Sequence, residues 1–477
     1  MIEAAAGAAL LVAFALGAAL VRRRRAWAPP PALDDAARAL RVLERGGEAD
    51  GRTAQDEAYP YKDVRCPYRS EPLRVDADEA ERLRAWLALP AAAPAAALTA
   101  APALPDGLPD ALRVAPARPV RLLLDTDLGT DVDDALALLL LLRLPPADVD
   151  LVGVTTVYGH APLRAAVAAR IVQAARGRAA PPVVAGECTP LGTHRPVWHT
   201  GTEGLGVLTD AEVARLEAQA DFLPGRSPRE WPAARFIVDE TARRPGEVTI
   251  VCIGPLTNLA RALALDPTLP ARVPRVVVMG LGSRHGERAA DLPYAPPDVP
   301  VAPGGCFGFF PNHNLSADVL AAVRVFDSDL RIDVVDHHVT GQLWWGAGFD
   351  TDDPAGDPDD DPEAAQACLD LLAAEAPPEA AVVGRLLREW LAYRSLIFRR
   401  QVRGTCPHDA LTVAEAVYPG RFVTPTPAGH LLVHRWAAFG TFVPRAGGPH
   451  RLSAAVDRAA FIPFLTGHLR PTRTGGR

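Results

Sequence analysis

Residues Val120–Leu142 read VRLLLDTDLGTDVDDALALLLLL: an apolar run, five aspartates within ten residues, and a second apolar run. Both runs call for burial, yet Asp125, Asp127, Asp131, Asp133 and Asp134 lie between them. Carboxylates this close raise one another's pKa or recruit a cation. An all-oxygen donor set of this kind suits a hard cation such as Ca²⁺ or Mg²⁺. One or two of the aspartates could instead cap a helix that starts near Asp133, where the helix dipole favours anions. Capping does not account for Asp125 and Asp127, which alternate at the end of an apolar strand. The stretch therefore predicts a strand, a metal site and a helix in direct succession.

From Val120 onward, strand-like and helical runs alternate. Strands are expected at Val120–Leu124, Val149–Thr156, Pro182–Ala185, Val248–Ile253, Arg275–Met279 and Asp333–Val335. Helices are expected at Asp133–Arg143, Ala161–Ala175, Pro228–Arg243, Leu256–Leu265, Ser316–Val325, Glu379–Phe398 and Ala410–Val417. Such alternation implies an α/β fold: a three-layer α/β/α sandwich with a mostly parallel central sheet. Ligands of these sheets bind outside the carboxyl ends of the strands, where the aspartate run lies. The acidic stretch Asp350–Glu363, rich in Pro and Gly and lacking calcium-loop spacing, reads as a solvated loop.

The N-terminal quarter is different. Ala4–Val21 is an unbroken run of small and apolar residues followed by Arg22–Arg25. A run of roughly 20 apolar residues spans a bilayer, and arginines flanking it stay cytoplasmic. Residues 1–25 are thus expected to form a single-pass transmembrane anchor, with the body of the protein in the cytoplasm. Residues 26–119 combine short amphipathic segments (Asp34–Arg45, Asp76–Leu89) with an Ala/Pro-rich linker, and residues 120–477 form the main domain. The net charge of −7 argues against nucleic acid as a partner. The six cysteines are scattered without a C-x-x-C pair, which favours single thiols in a reducing compartment over zinc or disulfides.

Two further motifs stand out. IGPLTNLA, at Ile253–Ala260, ends a strand and enters a helix through a tight turn, with Thr257 or Asn258 placed to satisfy backbone groups. CPHDAL, at Cys406–Leu411, sets an imidazole beside a carboxylate at a helix start. Either one alone is weak.

In order along the chain, DTDLGTDVDDALAL, VTTVYGH, GTEGLG, IGPLTNLARAL, RVVVMGLG, NHNLSAD and PHDAL resemble the inosine–uridine-preferring nucleoside hydrolase family, over roughly residues 120–425. The aspartate signature has two extra residues before its final Asp pair. The resemblance implies Ca²⁺ held by Asp127, Asp134, Asp409 and the main-chain carbonyl of Ile253. It also implies ribose hydroxyls held by Asp133, a sugar contact from Asn314, and His408 beside the leaving base. The substrate would be a small-molecule nucleoside, and homo-oligomers are common in the family.

Those residue types suit the chemistry. Cleavage of an N-glycosidic bond passes through an oxocarbenium-like state, as in O-glycoside hydrolysis. A cation lowers the pKa of water, Asp127 can take the water's proton, and His408 can protonate or stabilise the departing base. Several positions depart from the family pattern. His160 replaces an asparagine, Asn312 replaces a glutamate that helps hold the sugar, and His313 replaces an aromatic residue. His199 is displaced by one position, with Thr200 following it. His160 and Asn312 are accordingly expected at the substrate, in an altered sugar-recognition half.

The expected activity is Ca²⁺-dependent release of base and ribose. The loss of the glutamate at Asn312 motivates another reading, a non-hydrolytic nucleoside- or ribose-binding protein. A DxD phosphatase is a third reading, but it lacks the accompanying lysine in a chain whose sole lysine is Lys62.

Overall fold

The structure is a computed structural model. It describes residues 119–129, 131–192, 203–204, 206–219, 231–284, 306–309, 312–347, 361–375, 377–398, 402–434 and 439–471. The expected anchor, the segments within 26–118, His199 and most of the acidic run lie outside the described residues. Among those described, no helix is long and apolar enough to cross a membrane.

The elements in chain order are β1 (Val120–Thr126), α1 (Asp133–Arg143), β2 (Val149–Thr156), α2 (Ala161–Arg176), β3 (Val183–Ala185), α3 (Asp210–Gln219), α4 (Pro232–Arg243), β4 (Val248–Cys252), α5 (Thr257–Leu265), β5 (Val276–Gly280), β6 (Gly282–Arg284) and β7 (Cys306–Phe309). They continue with α6 (His313–Ala317), α7 (Val319–Phe326), β8 (Ile332–Asp336), α8 (His337–Thr340), β9 (Trp345–Ala347), α9 (Pro362–Leu372), α10 (Pro378–Phe398), β10 (Arg403–Thr405), α11 (His408–Val417), β11 (Val423–Pro425), β12 (Gly429–His434), β13 (Phe439–Pro444), β14 (His450–Val456) and α12 (Arg458–Leu469).

The main sheet runs β3-β2-β1-β4-β5-β8-β14-β12-β13-β7-β6. Pairing is parallel from β3 through β14. It is antiparallel from β14 onward through β12, β13, β7 and β6. That antiparallel wing was not expected, because its short strands carry little periodicity of their own.

Side-chain alternation builds the layers. Leu122 and Leu124 of β1, Val251 of β4 and Val277 of β5 pack on one face with α1, α2 and α9 to α12. Leu123, Ile250, Val276 and Val278 pack on the other face with α4, α5 and α7. This period-2 split across parallel strands produces the three-layer sandwich. Helix α1 is apolar all round because it is buried all round, from Asp133 through Leu142.

Two expectations need correcting. The helix expected over Ser316–Val325 is two helices, α6 and α7, broken at Asp318. The Asp318 side chain caps α7 by accepting from the Ala321 amide (3.1 Å), so its backbone leaves the helical region. The end of the acidic run is also ordered, since Asp361 accepts from the amides of Glu363 and Ala364 and starts α9.

Candidate functional site

The carboxyl ends of β1, β2, β4, β5 and β8 converge on the start of α1. Asp125, the last strand position before Thr126, is fully buried. Its Oδ1 accepts from Thr155 Oγ1 (2.7 Å) and Asn258 Nδ2 (2.8 Å). Burial pushes its carboxyl up to about 7, against the pull of those two bonds. Asn258 also donates to the Thr156 carbonyl (3.0 Å) and accepts from the Glu187 amide (3.0 Å), tying the loops after β1, β2 and β3 together. The Thr-Asn turn of IGPLTNLA is therefore a junction between strands.

Asp133 and Asp134 occupy the first turn of α1, and Asp409 that of α11. The N-cap of α1 is Val132 and makes no side-chain bond, so neither carboxylate is spent on capping. Their ligand oxygens and one from Asp409 all lie within 4.8 Å of one another. All three side chains are buried. Desolvation first, then the like charges of neighbouring aspartates, holds each well above the usual carboxylate range. Asp134 accepts a short bond from Thr126 Oγ1, while Asp409 Oδ1 is buried with no hydrogen-bond partner. An all-oxygen, under-compensated pocket with an orphaned acceptor fits a hard divalent cation.

Asp127 bears on all three by charge. Its Oδ2 lies 3.5 Å from His313 Nε2. Gly254 allows the approach of β4 to this loop, since a Cβ there would sit 2.8 Å from the Asp127 amide nitrogen. The Ile253 carbonyl accepts from Asn314 Nδ2 (2.8 Å) and keeps a second lone pair for another partner. Asn314 Nδ2 also reaches the Met279 carbonyl (3.2 Å).

The altered half of the site has its own geometry. Asn312 caps α6, accepting from the Leu315 amide (3.4 Å), and its Nδ2 lies 3.3 Å from Met279 Sδ. A helix cap occupies it where the resemblance places a sugar ligand. His160 is buried at the N-cap position of α2. His408 Nδ1 faces Thr340 Oγ1 at 2.7 Å, and its ring stacks on His337 with centroids 4.8 Å apart. Burial, with His337 and Arg394 nearby, pushes His408 down to about 3, so it stands neutral. Asp131 is half-buried: its Oδ1 accepts from the Val132 amide (2.6 Å), and burial raises its carboxyl against the opposing charge of Arg394.

Sequence reasoning missed Arg164, Tyr158 and His337. Arg164 is fully buried and donates to the Tyr158 carbonyl (2.7 Å), the Leu128 carbonyl (3.2 Å) and, through a short bond, the Asp127 carbonyl. It braces the lengthened aspartate loop from α2. The available signal was an arginine on the otherwise apolar stripe Leu163, Val167, Ala168, Ile171 of that helix. Tyr158 holds φ at 66°, a conformation unusual for a bulky side chain and common near functional sites. Its ring meets His313 edge-on at 5.1 Å.

The sequence pattern of the family described as inosine-uridine preferring nucleoside hydrolase matches residues 122–461, well over half of the chain. The chain belongs to that family. Similar relatives include a probable uridine nucleosidase 1 of Oryza sativa subsp. japonica, 30% identical over 229 residues, covering 47% of this chain and 60% of the relative. Another is an inosine-uridine preferring nucleoside hydrolase of Leishmania major, 33% identical over 172 residues, 35% of this chain and 50% of the relative. The chain thus spans between half and about 60% of the length of these curated relatives. Among solved structures, a plant nucleoside hydrolase superposes with a TM-score of 0.51 at 24% identity, covering 74% of this chain and 99% of that one. That likeness establishes the nucleoside hydrolase fold. Cys188, Cys252, Cys368 and Cys406 are free thiols.

Proposed function

We propose that the chain is a Ca²⁺-dependent nucleoside hydrolase that cleaves the N-glycosidic bond of a ribonucleoside to free base and ribose. The observation that carries this reading is the buried trio Asp133, Asp134 and Asp409 with its orphaned Oδ1 at the carboxyl end of the sheet. Asp134, Asp409, Asp127 and the Ile253 carbonyl would hold the cation, and Asp133 would face both the cation and the ribose hydroxyls. When bound, Ca²⁺ would supply Lewis acidity toward a water molecule. Asp127 would accept that water's proton, and the carboxylates would stabilise positive charge developing on the sugar. With Nδ1 turned to Thr340, His408 offers Nε2 to the leaving base. As a neutral ring it stabilises that base by hydrogen bonding instead of delivering a proton.

The test is a panel of purine and pyrimidine nucleosides, with Ca²⁺ or with EDTA, scored for free base and reducing sugar. Release that depends on Ca²⁺ and is lost in Asp134→Asn supports the reading. Tight nucleoside binding without release of base from any member of the panel sinks it. That outcome would favour a nucleoside-binding protein, a reading to which Asn312 lends weight because its amide serves as a helix cap where the family pattern has a glutamate.

A further inference from the structure

Helix α11 runs from the carboxylate cluster to the opposite end of the sheet, where β5, β8 and β14 begin. There it borders a cavity of about 330 Å³, large enough for a small metabolite. Its charged walls are Arg275, Arg331, Asp333, Glu415 and Arg451.

The acidic groups are already taken. Arg275 donates to Asp333 and, at 3.1 Å, to Glu415 Oε1. The Gly420 amide donates to both Glu415 oxygens (3.2 and 3.0 Å). The side chains of Arg331 and Arg451 are exposed and, among the described residues, make no hydrogen bond or ion pair, the Arg331 carbonyl alone accepting from the Val276 amide (2.8 Å). Arg451 is paired with Asp333 in parallel register, which puts both side chains on one face, and Arg331 immediately precedes β8, two residues before Asp333. Adjacent strands lie about 4.8 Å apart, so two long guanidinium side chains on neighbouring strands can close on one ligand. Pro274, Pro419, Pro425 and Pro449 frame the rim, which fixes much of its backbone before any ligand arrives.

In a chain of net charge −7, this cavity carries three guanidinium groups against two carboxylates that are internally satisfied. Guanidinium forks match oxyanions in bidentate geometry, and two of them together match a dianion better than a single carboxylate. We propose that this cavity is a second binding site, for a phosphate-bearing small metabolite, with Arg331 and Arg451 as its phosphate ligands. The proposal stands on this end of the sheet alone and does not depend on the hydrolase reading.

Calorimetric titration of the full chain in EDTA, at low ionic strength, tests it with three probes: inorganic phosphate, AMP and adenosine. Phosphate and AMP should bind the wild type, and the Arg331→Gln/Arg451→Gln double variant should bind both at least about tenfold more weakly, because charge-assisted bonds to the phosphate are lost. AMP binding tighter than phosphate assigns a nucleotide-sized ligand, whereas equal affinity assigns the phosphate group alone. Adenosine binding should be the same in both proteins. An unchanged melting temperature of the double variant in phosphate-free buffer secures the comparison, since both positions are exposed. If neither anion binds, or if the variant binds them as the wild type does, the proposal is wrong.

Discussion

Asp409 and Glu415 lie on the same helix, α11, and both are buried, yet the protein treats them in opposite ways. Glu415 is answered from within: Arg275 and the Gly420 amide complete its shell, although burial still raises its carboxyl to about 7. Asp409 is answered by nothing of the kind. It faces Asp133, Asp134, Asp127 and Asp131, and one of its oxygens has no partner. A carboxylate that serves structure is neutralised by its own chain. One left among like charges is held in readiness for something the chain does not contain.

The largest expected effect tests the Asp409 side of that contrast. Asp409→Asn should lower the nucleoside-hydrolysis kcat about 10³-fold, since several kcal/mol of cation-borne stabilisation is lost at about 1.4 kcal/mol per decade. The same variant should melt slightly higher than wild type in EDTA, because one member of a repulsive cluster is gone. A lower melting point in EDTA would show that the cluster is a stabilising network and would break the comparison.

The Glu415 side should respond in reverse. Glu415→Gln should destabilise the fold by about 1–3 kcal/mol in denaturant titration, because Arg275 loses a charged partner. Addition of Ca²⁺ should still raise its melting temperature as in wild type.

The smallest effect is a difference in slope. The raised carboxyls of Asp133, Asp134 and Asp409 mean that the folded state binds more protons than the unfolded state above about pH 4. Stability in EDTA should therefore fall as pH rises from the ordinary carboxylate range through the raised values. Asp125 and Glu415 add to that fall up to about pH 7. Saturating Ca²⁺ should remove the trio's share, since its binding favours the ionised carboxylates, and leave the share of Glu415. Melting curves from pH 4 to 8 with and without Ca²⁺ check this; parallel curves would contradict it.

The parallel half of the sheet was legible in the sequence because its strands are long, apolar and separated by amphipathic helices. Val149–Thr156 and Asp133–Arg143 appear in the structure as read. The antiparallel wing was not legible, since three- to six-residue strands such as β6, β7 and β12 are held by their neighbours more than by their own pattern. Within the site, the aspartates could be read from charge crowding. Arg164 could not: its role depends on which loop carbonyls α2 meets, and that is a tertiary fact. Asn312 illustrates the same limit, because no sequence pattern distinguishes an amide aimed at a sugar from one that closes a helix.

Helix α1, buried on every side, has a consequence for how the site breathes. Its amides from Ala135 to Leu142 have no exposed face from which to open locally, so their hydrogen exchange should proceed only through unfolding of the whole sandwich. Asp133 and Asp134 begin that helix. A cation seated on them would slow exchange deep in the core by the same factor by which it stabilises the entire domain, making the interior of the protein a gauge of occupancy at the carboxylate site.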